Sequence, residues 1–194
     1  IGWFGGEPLM AFSKMKKLNE QLKDIAISRN LKYTGHITTN GYALSPSIYK
    51  MLKEEFNVYR IEITLDGSKE FHDKRRVTTS GIGSFDIIFN NLKAITQSPF
   101  YDKNTCVISI RCNVDERNIE GVMPLLEMLY KHNMQDKIIF YTTPVVSWSN
   151  NGAGSMLGHK LLGKLSSKHI DYMIFQGYNS SEKSCSLPMY RNRQ

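Results

Sequence analysis

Five short stretches combine glycine, hydroxyl, amide and charged groups in a way that suits a ligand better than a packed interior. They are Gly5-Gly6-Glu7-Pro8, Thr38-Thr39-Asn40-Gly41, Thr64-Leu65-Asp66-Gly67, Arg111-Cys112-Asn113 and Thr142-Thr143-Pro144. Paired glycines let a bound molecule come close to the main chain. A carboxylate directly after them is poorly placed for a core and well placed for a bound cation. Arg76 and Arg111 offer the opposite charge, so the five stretches together could hold a polar molecule bearing both signs. His72 and Asp73, in FHDKRR, could act as a general base, but ordering of their loop through hydrogen bonds is the plainer expectation.

Each stretch follows an apolar run, and the runs alternate with helical periodicity. Strands are predicted at 1–4, 33–39, 59–65, 107–114 and 138–143, and helices at 10–29, 45–56, 84–96, 118–132 and 161–175. In the first helix Met15, Leu18, Leu22 and Ile25 form the expected buried stripe. Ser45-Pro46 and Ser84 read as helix starts. This alternation predicts parallel strands joined by helical crossovers, an α/β fold. Two long connections, 66–83 and 144–159, are expected to be functional or mobile, and residues 148–155 could shape a channel.

Parallel strands with both faces covered are apolar on both sides, yet several of these carry one polar face. Thr34, His36, Thr38 and Asn40 alternate with Tyr33, Gly35, Ile37 and Thr39; Arg60, Glu62, Thr64 and Asp66 alternate with Tyr59, Ile61, Ile63 and Leu65. Ser109, Arg111 and Asn113 alternate with Ile108, Ile110 and Cys112. A flat sheet would turn that face to water. A curved, barrel-like sheet would make it the wall of a cavity, with the site at the C-terminal strand ends.

The 194-residue chain is 41% hydrophobic and 22% charged, within the ordinary globular range, and has no apolar run long enough for a membrane helix. A net charge of +7 is spread along its length without interleaved aromatics, which argues against nucleic acid as a partner. Three cysteines, Cys106, Cys112 and Cys185, lack disulfide spacing and point to a reducing cytoplasm. Cys106 and Cys112 fall at a strand and read as buried structural residues.

GGEP, TTNG and ITLDGSKEFHDKRR, in this order and each at a strand end, resemble the radical S-adenosylmethionine enzymes, in particular the SPASM-type peptide and protein maturases that include the anaerobic sulfatase-maturating enzymes. The resemblance implies a partial parallel (β/α)6 TIM-like barrel, of which this chain would supply strands two to six with their helices, with the core at 1–177. It implies that Gly5, Gly6 and Glu7 hold the amino group of S-adenosyl-L-methionine and that Pro8 fixes the turn behind them. Thr64 would bind the methionine carboxylate or ribose, with Arg111, then Arg76, as the carboxylate's cation. Thr38, Asn40, Asp66 and Asn113 would add polar contacts, and Tyr141 would line the adenine side. A lumen ion pair between Arg111 and Glu62 is the competing reading for Arg111.

The family's chemistry is reductive cleavage of S-adenosylmethionine at a 4Fe–4S cluster, giving a 5′-deoxyadenosyl radical that takes hydrogen from a peptide or protein. A flavodoxin or ferredoxin would serve as electron donor. The cluster's CxxxCxxC motif is absent from this sequence, and the resemblance places it upstream of Ile1. At the other end, 178–194 resembles a linker and the start of a SPASM or twitch extension, where Cys185 would ligate an auxiliary iron–sulfur cluster. Two other classes stay open: a parallel-barrel lyase or hydrolase binding a phosphorylated ligand, and a noncatalytic peptide-binding module.

Overall fold

The computed structural model describes residues 1–145. Five parallel strands form one sheet in sequential order: β1 (Gly2–Trp3), β2 (Gly35–Thr39), β3 (Val58–Thr64), β4 (Val107–Val114) and β5 (Ile138–Pro144). The helices are α1 (Phe12–Ser28), α2 (Pro46–Glu54), α3 (Lys69–Arg75), α4 (Phe85–Thr96) and α5 (Val122–Lys131), with 3-10 turns at Pro8–Ala11 and Ile119–Gly121. Among the described residues the sheet runs from β1 to β5 without closing. This is the expected partial-barrel architecture. No helix among the described residues is long and apolar enough to cross a membrane. The predicted helix at 161–175, the loop segment 148–155, Cys185 and the boundary between 177 and 178 lie outside the described residues.

One face of the sheet is the core. Ile37, Ile61, Ile63, Ile108 and Ile110 are buried there under Tyr49 and Leu52 of α2, Ile88 and Leu92 of α4, and Leu125 and Leu129 of α5. Each such side chain contributes about 1.5–3 kcal/mol on leaving water. Local sequence sets the helix starts. Ser45 Oγ accepts from Ile48 N at 3.2 Å and Pro46 occupies the first turn of α2, where a missing N–H costs nothing.

Four expectations change. The buried stripe of α1 is Met15, Asn19 and Ala26, whereas Leu18 and Ile25 are about half exposed. Asn19 is drawn in because its amide donates to Glu55 O at 3.1 Å and accepts from the Tyr33 hydroxyl at 2.8 Å. Segment 66–83 is ordered: it contains α3 and an antiparallel bridge between Val77 and Gly83. Phe71 anchors α3 by packing on Gly121, where a Cβ would lie 2.6 Å from the ring. The strand expected at 1–4 is only Gly2–Trp3, with Trp3 buried and Phe4 81% exposed beyond it. Finally, Gly35 pairs with Val58 but His36 pairs with Arg60, so Tyr59 is an extra, bulged residue, and Val58 takes the core position expected of it.

Candidate functional site

Strand register arranges the polar face in rows. Thr38, Glu62, Ser109 and Ile139 form one, and Thr64, Arg111 and Tyr141 form the next toward the C-terminal ends. Asn113 and Thr143 follow. Side chains two residues apart on one strand point the same way, so alternation brings these groups to one side of the sheet.

At the C-terminal ends lies a hollow of about 230 Å³, lined by Phe4, Gly5, Gly6, Thr38, Thr39, Asn40, Thr64 and Arg76. Six of the residues expected to bind a cofactor therefore share one wall: Gly5, Gly6, Thr38, Asn40, Thr64 and Arg76. Gly5 and Gly6 have φ of 101° and 40°, and a Cβ built on either would meet nothing within 4 Å. These glycines hold a left-handed turn and leave its main chain open toward the hollow.

Glu7 stands behind that turn. Its Oε1 accepts from Leu9 N at 3.0 Å and Thr39 Oγ1 at 2.6 Å, and its Oε2 accepts from Asn40 N at 2.6 Å. The carboxylate thus caps the 3-10 turn that begins at Pro8 and ties it to the end of β2. Three of its roughly four lone-pair positions are used, which leaves room for one further donor. Thr39 also accepts from Gly41 N at 3.1 Å.

Asp66, which is buried, and Asn113, which is half-buried, form a brace behind the hollow rather than part of its lining. Asp66, 1% exposed, accepts from Arg76 Nε at 2.6 Å through Oδ2, and from Asn113 N and Nδ2 at 2.9 and 3.1 Å through Oδ1. Asn118 locks the same corner by donating to Asp66 O at 3.1 Å and Asn113 O at 2.8 Å. The brace aims Arg76 at the hollow.

His72 is fully buried; its Nδ1 accepts from Asp66 N at 3.1 Å and its Nε2 lies 3.0 Å from Ser84 Oγ. Ser84 in turn donates to Arg76 O at 2.9 Å, so the neutral Nε2–H tautomer satisfies the whole chain of bonds. Burial, more than its charged neighbours, pushes the imidazole down to about 4. Asp73 Oδ1 accepts from Phe85 N at 2.9 Å and caps α4. Both residues order the loop, as the plainer expectation had it.

Arg111 and Tyr141 are gathered elsewhere on the face, around Glu62. Arg111 Nη1 lies 3.7 Å from Glu62 Oε1 and its Nε donates to Asn113 Oδ1 at 3.0 Å. The Tyr141 hydroxyl donates to Glu62 Oε2, and burial, reinforced by Glu62, pushes the phenol up to about 12. The lumen ion pair weighed against a ligand role for Arg111 is therefore present. Glu62 draws partners from four strands, where the sequence had suggested only its pairing with Arg111. Phe4 and Thr39 were missed as lining: an aromatic after Trp3 reads as core, and Thr39 falls on the apolar face.

The described residues contain no cluster of three His, Cys, Asp or Glu able to hold a metal ion. Cys106 and Cys112 are buried free thiols, each pushed up to about 12 by desolvation. Neither favours the thiolate an iron–sulfur cluster needs.

No family model matches the sequence. A cysteine-type anaerobic sulfatase-maturating enzyme of Clostridium novyi (strain NT) is 33% identical over 101 residues, 48% of this chain and 24% of that enzyme. The solved structure of native anSMEcpe with bound AdoMet matches with a TM-score of 0.70 at 20% identity, over 88% of this chain and 45% of that one. Native anSMEcpe with bound AdoMet and Cp18Cys peptide gives a TM-score of 0.70, also at 20% identity and with the same coverage of both chains. The chain spans about a quarter of the length of the curated relative and under half of the solved ones. The resemblance to the sulfatase-maturating branch of the radical S-adenosylmethionine enzymes is borne out, and the solved neighbours share the fold.

Proposed function

We propose that this chain forms the S-adenosylmethionine-binding part of a radical S-adenosylmethionine enzyme that modifies a peptide or protein. The hollow at the strand ends carries the reading, because it offers acceptors and donors for a zwitterion within one small space. The open main chain of Gly5 and Gly6, with the remaining lone pair of Glu7, would take the ammonium. Thr64 and Arg76 would hold the carboxylate, and Arg111 would join them by exchanging Glu62 for the ligand. Thr38 and Asn40 would bind the ribose hydroxyls, Tyr141 would flank the adenine, and Asp66 and Asn113 would act through Arg76. When bound and reduced by one electron, S-adenosylmethionine supplies hydrogen-abstraction chemistry.

A 4Fe–4S cluster does not fit the residues described, so no step is assigned to it in this chain. Its ligands would come from elsewhere in the polypeptide, with Cys185 a candidate ligand for an auxiliary cluster and a flavodoxin or ferredoxin as electron source. A cytoplasmic location follows from the same reading. The neighbours that hold peptides support a peptide substrate.

Two observations test the proposal. The reading frame upstream of the Ile1 codon should encode CxxxCxxC. The encoded protein, reconstituted anaerobically with iron and sulfide and reduced, should convert S-adenosylmethionine to 5′-deoxyadenosine and methionine. A frame without the three cysteines would refute the catalytic reading in favour of a peptide-binding module.

A further inference from the structure

A second hollow of about 300 Å³ lies on the same polar face, lined by His36, Ile37, Thr38, Tyr59, Arg60 and Glu62. Thr38 lines both hollows, so the second continues from the first toward the N-terminal strand ends.

Its one guanidinium is weakly partnered. Arg60 offers five N–H groups, yet its one ion pair among the described residues is Glu62 at 3.9 Å, and its side chain is 42% exposed. Glu62 is already shared among Arg111, the Tyr141 hydroxyl and Thr38 Oγ1, the last at 3.5 Å. Glu62 therefore satisfies little of the Arg60 guanidinium, which keeps N–H groups for a further acceptor.

Its walls are also shaped. The bulge in β3 turns Tyr59 out of the core and sets its ring against His36, with centroids 6.3 Å apart. Bulges of this kind re-aim side chains beside functional sites. Gly2 admits the imidazole, since a Cβ there would lie 2.9 Å from His36 Nε2.

We propose that this second hollow is a carboxylate-recognition pocket in which Arg60, flanked by Tyr59 and His36, takes an acidic side chain of the peptide. The identity of the occupant rests on the peptide-modifying reading; the preference for a carboxylate rests on Arg60 and Glu62 alone. The pocket adjoins the cofactor hollow through Thr38, so an acidic residue held there would place neighbouring peptide residues near the reacting end of the cofactor.

The test uses dye-labelled Gly/Ser decapeptides with a single central Glu or Gln, titrated by fluorescence anisotropy at low salt into the wild-type protein. The Glu peptide should bind about tenfold more tightly, the scale of one charge-assisted bond at a half-open site. Arg60→Gln should abolish the difference and Arg60→Lys should restore part of it. Both should keep the wild-type affinity for S-adenosylmethionine and the wild-type far-UV circular dichroism. In the wild type, His36 ring resonances should shift saturably with the Glu peptide.

Equal affinity for both peptides, a preference that survives Arg60→Gln, or an unmoved His36 signal at saturation would overturn the pocket. Absent S-adenosylmethionine binding with the Glu preference intact would instead overturn the proposed function and leave the pocket standing.

Discussion

Replacing Asp66 with Asn keeps shape and removes charge at the centre of the brace behind the hollow. In the native structure Oδ2 is 2.6 Å from Arg76 Nε, while the Asp66 side chain is 2% exposed and that of Arg76 38%. A charge-assisted bond of this type is worth about 1.5–3 kcal/mol. The exposed side of Arg76 brings that to the region of 2 kcal/mol. The asparagine amide would also point N–H groups at a guanidinium, and the two bonds from Asn113 would pass from a charged to a neutral acceptor, at about 0.5 kcal/mol each. The expected loss is about 3 kcal/mol, or roughly 6–12 °C in Tm for a chain of this size. Urea unfolding followed by circular dichroism measures it. A double-mutant cycle with Arg76→Gln should return about 1–2 kcal/mol of coupling. A loss under about 0.5 kcal/mol, or strict additivity with Arg76→Gln, would show that Asp66 does not position Arg76.

Glu7→Ala strands Leu9 N, Asn40 N and the Thr39 hydroxyl, so it should cost about 2–4 kcal/mol in denaturant titrations; Glu7→Gln, which keeps one acceptor oxygen, should cost less. His72 has its folded-state pKa lowered to about 4 from 6.5. Its contribution is present above pH 6.5 and lost as the pH falls toward 4, because the unfolded chain binds the proton first. About 2 kcal/mol should be gone by pH 5, and that part of the slope should vanish in His72→Gln when urea midpoints are compared at pH 7.5 and pH 5. Glu62→Gln removes the charge beside Tyr141, so the phenol should titrate below its present value of about 12, read by NMR of 13C-tyrosine.

Much of the frame was legible because the physics that fixes it is periodic. Strand β4 ends where expected, at Val107–Val114, since strict alternation there places Ile108, Ile110 and Cys112 inside. What escaped was set by single contacts. Asn19 displaces Leu18 from the buried stripe of α1 through hydrogen bonds to groups far away in sequence. Helix α3, KEFHDKR, has little apolar periodicity and depends on Phe71 and His72 meeting Gly121, Asp66 and Ser84. The bulge at Tyr59 left no mark in the alternation. At the site, hydroxyls, amides and glycines at strand ends announced the hollow, but not that Glu7 and Asp66 would be committed to the protein's own N–H groups. A carboxylate looks the same in sequence whether it braces a wall or faces a ligand.

The central claim is that the strand-end hollow grips S-adenosylmethionine. Isotope-edited NMR with ligand labelled on its methyl carbon reads this directly, through nuclear Overhauser contacts between ligand and protein protons. Contacts to the Phe4 ring and to the methyl groups of Thr38 and Thr64 are predicted. Contacts confined to other residues, or none at saturating ligand, would contradict it.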